Sequence, residues 1–259
     1  MNNILLYFLK NIKRYFEPFV GGGAIFFYIL QKYWPKEVLI SDINEELINA
    51  YNVIKTDVDK LIIKLKEHKK YHEKSPKEYF YNIRALKLQK LTDLDRAARF
   101  IYLNKTCFNG LYRVNSKSEF NVPMGQYKNP SIVQAEKLKS ISKLLTHVQI
   151  KAMPFEKVLE LTKKEDFIYF DPPYYPLKVG KSFTTYTSNK FLEAEQRKLA
   201  EVFKELDKKG CKVMLSNSDT GLINSLYNKF NLRSVEAKRV INSVASKRGK
   251  ISEIIVTNY

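Results

Sequence analysis

An α/β sheet carrying a mostly helical insertion is the fold class that the 259-residue sequence predicts, and three observations predict it. The chain opens on a strand, a glycine turn, a helix and a second strand tipped by an acid, a nucleotide-binding βαβ start. Strand and helix patterns alternate again from His147 to the end. Between them lies a stretch whose apolar spacing is helical and whose charge is strongly basic. A sheet domain is therefore expected in two pieces, residues 1–56 and 147–259, with a separate module over 57–146.

In order, Arg14 to Val20 reads as a short buried strand running into Gly21-Gly22-Gly23 and the apolar helix Ala24 to Lys32. Val38 to Ile43 predicts the second strand, with Asp42 at its end, and a helix follows to about Thr56. From Asp57 to about Thr106 residues such as Leu61, Ile62 and Leu65 keep helical spacing. Asn109 to Gln126 turns β-like. Leu111 to Asn115, a polar turn Ser116-Lys117-Ser118, and Glu119 to Val122 predict a hairpin. A helix fills Ser131 to Leu145. Val148 to Ala152, Phe167 to Phe170 and Lys212 to Leu215 read as buried strands. Helices are expected over Phe155 to Leu161, Glu193 to Lys209 and Thr220 to Tyr227. The imperfect alternation of Ile251 to Thr257 predicts a closing antiparallel pair.

Composition narrows the function classes. With 44% hydrophobic and 28% charged residues, the chain is neither disordered nor collagen-like. A net charge of +18 points to a polyanionic partner, nucleic acid first, with solubility charge and Lys-rich codon usage as the plainer alternatives. Residues 57–150 hold 19 Lys and Arg against 9 Asp and Glu, so more than half of the excess sits there. That module is the expected phosphate-binding face, and such contacts hold DNA without choosing a sequence. Cys107 and Cys211 form no CxxC and no disulfide framework, which fits a reducing compartment. The apolar runs Ile4 to Leu9 and Ala24 to Leu30 are too short to span a bilayer, and the first has its positive charges after it, the reverse of a secretory signal. A cytoplasmic protein without a membrane partner is expected. His68 and His72, four apart, would suit a metal on one helix face, but their surroundings are cationic and lack the Glu of HExxH. A solvated helix face and no metal are expected. His147 has no triad partners in view.

Two motifs carry chemistry. In Phe16-Glu17-Pro18-Phe19-Val20-Gly21-Gly22-Gly23-Ala24 the glycines permit a sharp turn and close approach of a ligand to the backbone. Asp42 follows at about the spacing at which an acid reaches ribose hydroxyls. The pattern is not GxGxxG, so a nucleoside without a pyrophosphate, S-adenosylmethionine above all, fits better; a tight strand-to-helix turn alone is the rival explanation. The second motif is Asp166 to Phe170 followed by Asp171-Pro172-Pro173-Tyr174-Tyr175. An apolar strand delivers Asp-Pro-Pro-Tyr to its carboxyl end, where open α/β sheets place ligands. The exocyclic nitrogen of adenine is a poor nucleophile because its lone pair is delocalised into the ring. A carboxylate and a backbone carbonyl accepting its two N–H groups localise that pair as charge develops. Proline stiffens the carbonyl and removes a competing donor, and the following aromatic can stack on an everted base.

With these motifs in place, the sequence from about Arg14 to its last residue resembles the Dam-type family of DNA adenine-N6 methyltransferases. The resemblance also covers Asn104 to Asn115, Glu119-Phe120-Asn121-Val122-Pro123, Leu215-Ser216-Asn217-Ser218-Asp219 and Ser246-Lys247-Arg248-Gly249-Lys250. It implies a Rossmann-like S-adenosylmethionine-dependent sheet domain (1–56 and 147–259) with an inserted DNA-recognition domain (57–146). It implies that Phe19, Gly21, Gly23, Asp42, Phe155 and Asp171 line the cofactor, with Asp42 on the ribose and Phe155 beside the adenine. Asp171 and Pro172 would accept from the target N6, supported by Pro173, and Tyr174 would stack on the flipped base. Phe108 and Asn109 would fill the gap left by flipping, and Arg113 would read a guanine of GATC. Leu111 and Pro123 would lie near thymine, and Asn115, Lys247 and Arg248 would also contact duplex DNA. A restriction endonuclease acting on the same site is a further expected partner.

The family commonly begins with a Trp-Ala-Gly-Gly-Lys stretch that contacts the cofactor, whereas this sequence opens Met1-Asn2-Asn3-Ile4-Leu5. A DNA-binding module with impaired cofactor binding is accordingly one alternative; methylation of cytosine N4 or RNA adenine is another. Met153-Pro154 stands where the family commonly has a polar residue, so adenine recognition would lean on backbone groups. The expected reaction is direct in-line transfer without a covalent enzyme intermediate or a metal.

Overall fold

A computed structural model describes residues 7–9, 11–177, 191–238 and 250–259. The elements run β1 (Arg14–Glu17), α1 (Ala24–Tyr33), β2 (Glu37–Asp42), α2 (Glu45–Thr56), α3 (Val58–Lys74) and α4 (Pro76–Ala85). Then come α5 (Asp93–Thr106), α6 (Ala135–Leu145), β3 (Val148–Ala152), α7 (Val158–Leu161) and β4 (Phe167–Phe170). The chain closes with α8 (Glu193–Lys208), β5 (Lys212–Ser218), α9 (Gly221–Leu226), β6 (Asn231–Lys238) and β7 (Lys250–Thr257). By packing, residues 44–152 form one compact unit; the described residues up to 43, 153–177 and from 191 onward form another.

The discontinuous unit is a Rossmann-like α/β fold. Its strands lie in the order β2-β1-β4-β5-β7-β6. β1 pairs in parallel with β2 and β4, and β4 with β5, while β7 runs antiparallel between β5 and β6. Phe167 to Phe170 are buried on both faces, as a central parallel strand requires. Amphipathic α8 turns Gln196, Leu199, Ala200, Phe203 and Leu206 inward. Their apolar members join Phe170, Val213, Leu215 and Val256 in one core. The register sets Phe170 opposite Leu215. The residues one step beyond each, Asp171 and Ser216, therefore meet at the carboxyl edge of the sheet.

The continuous unit is helical. Asn44 caps α2 by accepting from Glu46 N and Leu47 N, each at 3.2 Å. α2 packs on α5, α6 and β3, held also by the ion pair of Glu46 with Arg96. The packing division at 44 and 152 thus takes in α2 and β3, outside the change of pattern at 57 and 146. The hairpin is present in minimal form. A single bridge, Val114 with Phe120, is flanked by Asn115 N donating to Glu119 O (2.9 Å) and Asn121 N to Arg113 O (3.0 Å).

One expectation is overturned here. His68 and His72 do not lie on a solvated face. His72 is buried, and its Nδ1 lies 2.9 Å from Tyr102 Oη; His68 stacks on the Tyr102 ring and meets Tyr79 Oη at 2.8 Å. The physical reason is that imidazole, unlike the lysines around it, is flat and can bury its body while a phenol satisfies its ring nitrogen. Burial pulls His68 down to about 4 and lowers His72 as well.

Candidate active site

The glycine turn joins β1 to α1. Val20 N donates to Ser41 O at 3.0 Å, tying the turn to β2, and Gly21 N donates to Asp42 Oδ2 at 3.2 Å. Gly21 and Gly23 have φ of +47° and +70°, a region that strains residues with a side chain. A Cβ on Gly22 would meet no atom of the described residues within 4 Å, so among them the backbone there faces open space. Asp42 is half-buried at the end of β2, where it braces the turn. Beside it, Phe19 stacks on buried Phe155 (5.3 Å, 28°), and Phe191 stands edge-on to Phe19 at 5.4 Å. Lys198 Nζ lies 5.8 Å from the Phe155 ring centre.

Asp171 follows β4 and is accessible to solvent. Ser216 Oγ donates to its Oδ1 at 2.7 Å, and Tyr169 Oη stands 2.9 Å from the same Ser216 Oγ. The Tyr174 phenol lies close enough to the Asp171 carboxyl for each group to shift the other's protonation. Desolvation by the surrounding protein atoms raises the pKa of the carboxyl, opposed by the Ser216 hydrogen bond and the neighbouring Tyr174 hydroxyl. Crowding likewise drives the Tyr174 phenol upward, with the Asp171 charge adding to it. Nearby Glu17 is buried at the end of β1 and accepts from Tyr15 Oη. Burial lifts Glu17 well above the carboxylate range, outweighing the Tyr15 bond, and Asp171 pushes the same way.

The loop after Asp171 is clamped from below. Gln196 Nε2 donates to Pro173 O at 3.0 Å, and Asn217 Nδ2 donates to Gln196 Oε1 at 3.0 Å. Asn217 Oδ1 accepts from Tyr175 N at 3.1 Å, and Ser218 Oγ donates to Tyr175 O at 2.5 Å. The carbonyls of Pro173 and Tyr175 are thus engaged, whereas that of Pro172 accepts no hydrogen bond among the described residues. Sequence reasoning assigned no role to Ser216, Asn217 or Gln196. Gln196 could have been found: it shares the buried stripe of α8 with Leu199, Ala200 and Phe203, where a polar amide needs an internal partner.

In the helical unit, Phe108, Asn109, Leu111, Arg113 and Pro123 are all exposed, and Asn115 is half-buried. Asn104 Nδ2 donates to Gly110 O at 2.7 Å, holding the turn in which Asn109 takes φ +54°. Phe108 N donates to Pro123 O at 2.9 Å, which brings those two residues together. Arg113 Nε donates to Asn121 Oδ1 at 2.7 Å, and Asn115 Oδ1 accepts from Lys117 N and Glu119 N at 2.9 Å each. Lys247 and Arg248 lie outside the described residues. Among the described residues no cluster of three or more metal-ligating side chains occurs, and no helix is long and apolar enough to cross a membrane.

Comparison with known proteins bears on both units. Residues 1–241 match the family of D12 class N6 adenine-specific DNA methyltransferases. The chain is 50% identical over 258 residues to the type II methyltransferase M.MjaIII of Methanocaldococcus jannaschii, covering 96% of this chain and 89% of that protein. It is 46% identical over 256 residues to the type II methyltransferase M1.LlaDCHI of Lactococcus lactis subsp. cremoris, covering 96% and 88%. A DNA adenine methylase of Haemophilus influenzae is 36% identical over 240 residues, with 92% and 82% covered. The chain belongs to the D12 class of N6 adenine-specific DNA methyltransferases, enzymes that act on DNA with S-adenosylmethionine as methyl donor.

Proposed function

We propose that Asp171 and the Pro172 carbonyl accept the two N–H groups of a target adenine that has been turned out of duplex DNA, within the sequence GATC. The observation that carries this reading is the pairing of an accessible, Ser216-held carboxylate with the carbonyl of Pro172, which among the described residues accepts no hydrogen bond while the neighbouring carbonyls are engaged. Two fixed acceptors on one amine localise its lone pair as the nitrogen becomes tetrahedral, which lowers the barrier to direct in-line attack. S-adenosylmethionine supplies the electrophilic methyl carbon. The open backbone at Gly22, the Asp42 carboxylate and the Phe19–Phe155 stack fit its uncharged adenosine better than a pyrophosphate. Asp42 would hold the ribose, and Phe155 would flank the adenine. Tyr174 would stack on the flipped base.

The sheet unit would carry catalysis and residues 57–146 target recognition. Exposed Phe108, Asn109, Leu111, Arg113 and Pro123, with Asn115 bracing the turn, supply apolar props and one guanidinium oriented by Asn121. Arg113 fits bidentate reading of guanine O6 and N7. Lys247 and Arg248 would add phosphate contacts. Because two relatives are type II methyltransferases, a restriction endonuclease that cuts the same unmethylated sequence is the expected companion. The test is methylation of duplex DNA with labelled cofactor, followed by nucleoside analysis and mapping of the modified base. N6-methyladenine within GATC is expected, and Asp171→Ala should abolish it with DNA binding retained. Near-normal turnover by that variant would remove Asp171 from the role.

A further inference from the structure

We propose that Ser216, backed by Tyr169, is a positioning residue for methyl transfer: it occupies one oxygen of Asp171, leaves the other for the adenine amine, and keeps Asp171 an acceptor. The inference rests on the assignment of Asp171 as the amine's acceptor. Ser216 is fully buried, and its single hydroxyl proton is spent on Asp171 Oδ1 at 2.7 Å. Tyr169 Oη, 2.9 Å away, must then donate to Ser216. Both hydroxyl protons point toward the carboxylate. A chain polarised in that direction stabilises the anion, and its inner end offers no acceptor for a proton. As the N–C bond forms and the C–S bond breaks, sulfur keeps the electron pair. The proton shed by N6 therefore leaves on the accessible side of Asp171, not inward through Ser216.

The groups facing Asp171 make this support necessary. Among the described residues they are Tyr15 and Glu17 on β1, Tyr169 on β4, Tyr174 after it and Ser216 on β5, with Glu253 on β7 acting on Tyr174. Crowding favours the protonated carboxylic acid, which has lost half of its acceptor capacity. Ser216 and Tyr174 oppose that, and Ser216 is the one that holds the carboxylate at hydrogen-bond distance. Its place is set by the ladders of β5 with β4 and β7, so removing the hydroxyl leaves the backbone supported.

Single-turnover methyl transfer across pH, with labelled cofactor and saturating GATC duplex, tests the assignment. Ser216→Ala should slow the step roughly 10- to 100-fold, the range for losing a hydrogen bond to a charged group. Its acid limb should move to higher pH, while KM for DNA and cofactor stays close to wild type. Ser216→Thr should restore most of the rate, and Tyr169→Phe should move the acid limb the same way by less. A Ser216→Ala enzyme with wild-type rate and acid limb overturns the proposal, as does a loss confined to KM or one that threonine leaves unrepaired. Near-normal turnover by Asp171→Ala is a separate failure, of the acceptor assignment itself, and takes this proposal with it.

Discussion

At the scale of single residues, Tyr174 brings two groups to the proposed cycle. Its hydroxyl acts on the protonation of the Asp171 carboxyl, the proposed acceptor of the adenine amine, while its ring is the surface on which the base would stack. Tyr174→Phe keeps the ring and removes the hydroxyl, so its kcat should stay within a few-fold of wild type. Tyr174→Ala removes the stack, and base–aromatic stacking contributes about 1–3 kcal/mol per base; KM for DNA should rise accordingly. Steady-state kinetics on a single-site duplex separates the two. Equal losses in both variants would mean that the hydroxyl, not the ring, is what the reaction uses.

At the scale of elements, α8 and the end of β5 together shape the loop that carries the proposed acceptors. Gln196 and Asn217 are fully buried, and each satisfies the other as well as the loop backbone. Gln196→Ala releases the Pro173 carbonyl and strands the buried Asn217 amide, which costs about 1–3 kcal/mol for a buried unsatisfied group. Thermal unfolding should show the loss as a lowered Tm, and kcat should fall with it. The helical unit gives a pH prediction. His68 titrates near 4 in the folded chain because burial disfavours its charge, against about 6.5 when unfolded. The folded state binds fewer protons between those values, so stability is complete above pH 6.5 and falls as pH drops toward 4. The slope approaches ~1.4 kcal/mol per pH unit at its steepest. His68→Phe keeps the stack on Tyr102 and removes the titration; urea midpoints measured from pH 7 to 4 should fall less steeply than in wild type.

At the scale of the whole molecule, the charge of +18 is a property of the field, concentrated in residues 57–150. A basic module that neutralises several phosphates releases their counterions, so affinity for duplex DNA should fall with salt whatever the sequence. About six phosphate contacts would cost ~10³-fold between 50 and 200 mM salt. Fluorescence anisotropy on GATC and scrambled duplexes should show parallel salt slopes with different intercepts. Flat salt dependence would mean that the charge serves only solubility.

The α/β class, the glycine turn, the Asp-Pro-Pro-Tyr loop and the helical insertion were all legible along the chain, because backbone periodicity, turn chemistry and a strand's carboxyl end are local properties. The family resemblance rested on the same short runs. What surrounds Asp171 was not legible. Ser216 and Gln196 lie 45 and 25 positions away in the chain and reach the loop only when β4 pairs with β5 and α8 packs on them. His68 and His72 misled for a related reason: their neighbours in sequence are lysines, but their neighbours in space are tyrosines. Sequence by itself determined which groups could do the chemistry. The tertiary structure decided which of them are held, buried and charged, because hydrogen bonds and desolvation act between atoms that only folding brings together.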